Sequence, residues 1–147
     1  MHLTLLAVVL ITLGGACIAT QAPINAGLSR QIGSPIVAAA ISFGVGFVIL
    51  TLAGMLSGSG RSFGRALGVD WYFWLGGVLG AFYVWAMVWS LPRLGAFTAI
   101  CAVALGQILA AILLDRFGAF GLPVKDISLP RILAALMVGG GLVLSRF

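Results

Sequence analysis

The sequence predicts an all-α integral membrane protein with five transmembrane helices. Three observations carry the prediction. Long apolar runs near residues 3–22, 34–56, 72–91, 94–114 and 129–145 fill most of the chain, and none of Asp70, Asp115 and Asp126 lies inside them. Each run is close to the roughly 20 residues that a helix needs to cross a hydrocarbon core about 30 Å thick. The runs are also about twice as long as a barrel strand and lack its alternation, which leaves helices as the spanning structure. With 62% hydrophobic and only 7% charged residues, too few polar side chains exist to coat a soluble fold. The connections are too short to hold a separate soluble domain, so residues 1–147 read as a single transmembrane domain.

The first run, Leu3 to Ala19, has no Lys or Arg before it and is too long for the core of a signal peptide. It reads as a retained span. The connection from Gln21 to Gly33 carries Pro23, Asn25 and Arg30. Span two places Ala38, Ser42 and Gly46 on one face. The next connection, Ser57 to Asp70, is rich in Gly and Ser and holds Arg61 and Arg65. Trp71, Tyr72 and Trp74 open span three at the headgroup level that such rings favour. Gly76 and Gly80 line one face of that span, while Trp85 and Trp89 share another. Pro92-Arg93 predicts the end of span three, since proline disfavours a helical residue before it, and a tight antiparallel pair with span four. Ala102, Gly106 and Ala110 stripe span four. Asp115 to Ser128 connects it to span five, where Gly139-Gly140-Gly141 is dense and the other side chains are apolar. Small residues let helix backbones approach closely in lipid. Ala135, Gly139 and Gly140 are therefore the candidate seam to a second copy. Cys17 and Cys101 lie within spans without a CxxC or a histidine partner and read as small buried packing residues.

Charge sets orientation. Five spans put the two termini on opposite sides. The N-terminal side then holds Arg61, Arg65, Arg116, Lys125 and Arg131, and the other side Arg30, Arg93 and Arg146. Cytoplasmic loops carry the excess of Lys and Arg, so the N-terminal side reads as cytoplasmic, by a margin small enough for a chain that inserts both ways. Two opposed copies would form an antiparallel dimer of ten helices, the two-chain equivalent of an inverted repeat. The sequence pI near 10.3 arises from isolated rim cations and excludes a nucleic-acid surface as the main reading. His2, the one histidine, lies at the N-terminus.

Longer stretches carry a resemblance. Gln21-Ala22-Pro23-Ile24-Asn25-Ala26-Gly27-Leu28 is followed by Ser34-Pro35 and then Ala38-Ala39-Ala40-Ile41-Ser42-Phe43-Gly44-Val45-Gly46. Trp74-Leu75-Gly76-Gly77, Gly80-Ala81-Phe82-Tyr83-Val84, Pro92-Arg93-Leu94-Gly95-Ala96, Gly106-Gln107 and Asp115-Arg116-Phe117-Gly118 come after, in that order. Over nearly its whole length the chain resembles the YdcZ-like family of the drug/metabolite transporter superfamily, which is related to the small multidrug resistance proteins. The resemblance implies a five-helix half-transporter of the bacterial inner membrane, assembled as an antiparallel pair with itself or with a paralogous five-helix chain. It implies no particular substrate. Small multidrug resistance exporters carry a glutamate in their first span; here Leu3 to Thr20 holds no acidic residue. Export of cationic drugs by carboxylate exchange is thereby excluded from the expectation.

A transporter site is expected near the bilayer midplane, between opposed repeats. The polar side chains within reach are Thr12, Ser42, Tyr83 and Gln107, near the middle of spans one to four. A carboxamide in lipid needs partners for two donors and an acceptor, which makes Gln107 the strongest single candidate on sequence alone. Gln21 and Asn25 stand four apart and share a face if the helix continues through Pro23. Tyr83 and Trp85 add a hydroxyl and an aromatic wall. The candidate substrate-binding set is Gln21, Asn25, Ser42, Tyr83, Trp85 and Gln107. No metal cluster, catalytic triad, carboxylate pair or phosphate loop is legible, so neither an enzyme nor a cofactor is expected. The leading function is a secondary transporter or permease subunit for a small solute, working by alternating access. A channel-forming subunit and a non-transporting scaffold or partner subunit are the alternatives.

Overall fold

A computed structural model describes residues 2–145 and 147. Arg146, counted above among the cations of the C-terminal side, lies outside the described residues, as does the side chain of His2. Among the described residues the fold is all helical, and the chain divides into two compact units, residues 1–93 and 94–147.

In the first unit, α1 runs unbroken over His2–Ile32 with Pro23 inside it. The sequence placed a connection from Gln21 onward; the helix instead carries that segment. Proline costs α1 one backbone hydrogen bond, the one to the carbonyl of Ala19. Unwinding from Gln21 would expose many more backbone groups where lipid offers no partner, so the helix persists. α2 spans Pro35–Leu56, with Pro35 in the first turn and the Ser34 hydroxyl accepting from the Val37 amide at 3.3 Å. Both are strong helix-start signals. α1 packs on α2 through alanines: Ala22, Ala26 and Ala38 are 5%, 1% and 0% exposed.

The Gly/Ser-rich connection contains a short helix, α3 (Gly60–Ala66), whose Phe63 ring lies against Gly54. A 3-10 turn, Trp71–Trp74, follows, with the Tyr72 hydroxyl donating to Asp70 at 3.1 Å. α4 then spans Leu75–Leu94. Its Val84 and Val88 form a buried cluster with Ala38 and Ala39 of α2, and Leu28, Tyr83 and Trp85 pack around it. The aromatic edge of Phe43 comes within contact distance of Gly80, at 3.4 Å from where a β-carbon would stand. Cys17 is exposed rather than buried, because it lies on the side of α1 away from Ala22 and Ala26.

Pro92 lies inside α4 and does not end it, contrary to the sequence expectation. So close to the end of the helix it removes only the one bond its missing N–H would have made to the Val88 carbonyl, and no long stretch of helix beyond it is disturbed. The break comes at Gly95, whose φ of 77° and ψ of 160° fall in a region open essentially to glycine alone. A β-carbon there would meet nothing within 4 Å, so a substitution reads out backbone cost with little packing cost. Gly95→Ala is expected to lower stability by about 1–3 kcal/mol. Unfolding of the purified protein in mixed micelles, compared with Gly76→Ala inside α4, measures it.

In the second unit, α5 (Ala96–Phe117) packs against α6 (Leu129–Leu144). The pair is antiparallel and pinned at both ends. The buried Thr98 hydroxyl donates to the Ser145 carbonyl at 3.2 Å, and Arg131 bonds Asp115 at 2.8 Å. Among the described residues four helices are long and apolar enough to cross a membrane: Thr4–Ile32, Pro35–Leu56, Trp71–Leu94 and Ala96–Phe117. α6 is apolar but has 16 residues, about 24 Å of helix at 1.5 Å per residue. The architecture is thus four long apolar helices and one shorter one, with α3 outside that set.

Candidate functional site

Continuation of α1 through Pro23 puts Gln21 and Asn25 one helical turn apart on the same face. Both carboxamides donate to one oxygen, the Ser42 hydroxyl of α2: Gln21 Nε2 at 3.0 Å and Asn25 Nδ2 at 3.1 Å. Asn25 is 5% exposed, Gln21 is exposed and Ser42 is half-buried. A serine oxygen has two acceptor positions and one proton to give. Two incoming N–H groups fill the first and leave the second for another acceptor.

Beside this cluster is a small cavity of about 10 Å³ lined by Gln21, Asn25 and Tyr83 together with Ile18, Ala22, Val84, Met87 and Val88. That volume is about the minimum for one water. No charged side chain lines it. Ser42 stands about 12 Å along α2 from Ser34, and Tyr83 about 18 Å along α4 from Gly95, at 1.5 Å per residue. Both are in the middle third of their helices.

The other sequence candidates fall elsewhere. Trp85 packs on the α2–α4 cluster and against Phe82, with ring centroids 5.9 Å apart, and does not line the cavity. Gln107 is exposed on α5, and its side chain makes no hydrogen bond among the described residues. Thr12 donates to the Val8 carbonyl of its own helix at 2.8 Å. Ala135 and Gly139 are half-buried facing α5, with the Gly139 β-position 3.8 Å from Leu105; Gly140 is exposed. All three line an apolar groove of about 440 Å³ with Leu105, Leu109, Ile112, Ile127, Ile132 and Leu136.

Sequence reasoning missed the apolar walls, Ile18 of α1 and Val84, Met87 and Val88 of α4. The α4 signal was present in the recurrence of Val84, Met87, Val88 and Leu91 at helical spacing, all of them buried. The charges around the α5–α6 connection pair across it rather than with their sequence neighbours: Arg116 reaches Asp126 at 3.2 Å, and Asp115 takes Arg131 at 2.8 Å. In the first unit, the Arg93 guanidinium lies 3.8 Å from the Trp89 ring centre and also donates to the Trp89 carbonyl. Among the described residues no three of His, Cys, Asp or Glu converge as a metal site would require.

Comparison with known proteins adds a family. The family described as "Putative inner membrane exporter, YdcZ" matches residues 6–144. The "Inner membrane protein YdcZ" of Escherichia coli (strain K12) is 31% identical over 78 residues, 53% of this chain and 52% of that protein. The chain thus aligns with about half the length of that curated relative. No solved structure matches it. Taken with the long apolar helices, the match over nearly the whole length establishes that the chain belongs to the YdcZ family and is an inner membrane protein, of an exporter family and not an enzyme family.

Proposed function

We propose that this chain is half of a secondary transporter, moving a small solute by alternating access across the inner membrane. In this reading residues 1–147 form a single transmembrane domain, α6 serves as the fifth span, and two copies, or one copy and a paralogous five-helix chain, pair antiparallel into ten helices. Gln21, Asn25, Ser42 and Tyr83 bind the solute. The observation that carries the reading is the meeting of two carboxamides on one serine hydroxyl beside an uncharged cavity. Polar groups inside the apolar thickness are costly and tend to be kept for packing or for a pathway. A cavity of about 10 Å³ is too small for a solute, so the site requires opening or completion by the second chain. In an inverted copy, a group near the midplane keeps its depth, so opposed copies would bring their clusters to one level.

Gln107 supports the same reading. An exposed carboxamide near the middle of α5 has no partner in lipid and gains one from an apposed chain. Ala135 and Gly139 already pack towards α5, which leaves Gly140 as the free member of the proposed α6 seam. Asp115, in the last turn of α5, is paired with Arg131, so in this reading coupling does not use a carboxylate at the midplane.

The test combines binding, flux and topology. A thermal-shift screen of neutral polyols, amides, organic anions and quaternary ammonium ions identifies a stabilising solute, whose uptake into proteoliposomes is then followed. The expected result is saturable flux, with single cysteines near either terminus labelled from both faces of the membrane. Flux that never saturates supports a pore, and no flux of any stabilising solute supports a scaffold. One fixed orientation in every copy removes the antiparallel homodimer.

A further inference from the structure

The segment joining α5 to α6 has neither the composition nor the side-chain placement of a water-facing loop. Between Phe117 and Leu129 it exposes Phe120, Leu122, Val124 and Ile127, with Phe120 75% and Val124 64% exposed. Yet the segment is tied down. The Lys125 amide donates to the Asp115 carbonyl at 2.9 Å, the Leu122 amide to the Ala119 carbonyl at 3.1 Å, and Arg116 pairs with Asp126 at 3.2 Å. Val124 packs so close to Gly118 that a β-carbon there would come 2.7 Å from its side chain. An ordered loop in water would fold its apolar side chains beneath it. This one turns them outward, and holds Phe120 at a φ of 57°, where a side-chain-bearing residue is rarely found.

Two further observations identify what covers these side chains. The segment leads directly into α6, whose 16 residues fall about 6 Å short of a core about 30 Å thick. And the charges around it are cationic on balance: Arg116, Lys125 and Arg131 against Asp115 and Asp126. The Lys125 ammonium makes no ion pair among the described residues. Apolar side chains interleaved with cations, continuous with membrane-crossing helices, match the chemistry of the headgroup layer of an anionic bilayer.

We propose that residues 117–129 lie along the membrane surface as an interfacial segment. Phe120, Val124 and Ile127 enter the boundary of the acyl chains, and Lys125 meets lipid phosphates. The segment supplies the apolar length that α6 lacks and anchors that end of the α5–α6 pair. The inference rests on the second unit alone and stands whether or not the chain transports.

The test places an environment-sensitive fluorophore, NBD, at Phe120→Cys in a Cys17→Ala/Cys101→Ala background. The full chain is held in nanodiscs of phosphatidylcholine with phosphatidylglycerol, where both faces meet the water. Label at Ser59→Cys, in the Gly/Ser-rich connection, is the water-exposed reference. The expected result at position 120 is blue-shifted emission, severalfold weaker quenching by iodide than at 59, and strong quenching by lipids spin-labelled near the headgroup. Iodide quenching equal to that at 59 overturns the proposal. Protection from iodide without quenching by lipid also overturns it, because protein rather than lipid then covers the segment. Lys125→Gln is expected to raise iodide quenching at 120 in anionic discs and not in neutral ones; no difference removes the phosphate contact. Ile127→Cys, at another of the inserted positions, provides a second label site should the first variant misfold.

Discussion

Replacing Ala38 by leucine is expected to lower stability by about 1–3 kcal/mol or more, the usual cost of forcing methylenes into a filled site. Ala38 is 0% exposed and clusters with Ala39, Val84 and Val88. The added carbons have nowhere to go without pushing α2 away from its neighbours. In lipid, where close packing and hydrogen bonds replace the aqueous hydrophobic drive, lost approach has little to offset it. Ile41→Leu, at a 44% exposed position of the same helix, should stay within about 0.5 kcal/mol. Unfolding titrations in mixed micelles compare the two. An Ala38 variant as stable as the Ile41 one would mean that α2 and α4 do not meet as described.

Loss of the serine hydroxyl is the second large effect. Ser42→Ala removes the shared acceptor, so both carboxamides lose a partner at once. Hydrogen bonds between membrane helices contribute roughly 0.6–2 kcal/mol each, and 1.4 kcal/mol is a factor of ten. A tenfold or greater loss of flux is therefore expected, with the stabilising solute no longer raising Tm. Two bonds at that rate put the stability change at roughly 1–4 kcal/mol. A double-mutant cycle with Asn25→Ala should give a coupling energy of at least about 0.5 kcal/mol, showing that the residues touch. Unchanged flux with intact coupling reduces the cluster to helix packing.

Much of the fold was legible because lipid permits so few solutions. Length and apolarity alone located the long helices, since in a membrane every backbone group must be satisfied within the chain. The same constraint explains where the reading failed. Pro92 was taken as a stop, and Pro23 was placed in a connection with its continuation as helix left open, by rules that hold where water can accept the freed carbonyl; both lie inside helices. Gly95, the actual break, was hidden because most of this chain's glycines sit harmlessly within helices. In the candidate site, Gln21, Asn25 and Ser42 could be found as rare polar groups at helical spacing. Their convergence could not, because the register of α1 on α2 is set by alanine contacts from two distant segments. The crossed ion pairs were illegible for a similar reason: adjacency in sequence favoured Asp115 with Arg116, whereas the return of α6 brings Arg131 to Asp115.

The surplus length of α1 has a mechanical consequence. At 31 residues against 22 for α2, it is about 46 Å long beside about 33 Å. Its early turns are as greasy as any in the chain, with Leu5, Leu6, Leu10 and Ile11 exposed, so they cannot stand out in water. One slab of lipid must therefore accommodate two rods of unequal length, by leaning of the longer one or by local thickening of the bilayer around it. Its angle then follows the slab: thinner lipid tips it further, thicker lipid draws it upright. Each change loads the alanine contact between α1 and α2 that holds Gln21 and Asn25 on Ser42. The same protein is therefore expected to differ in stability between short-chain and long-chain bilayers.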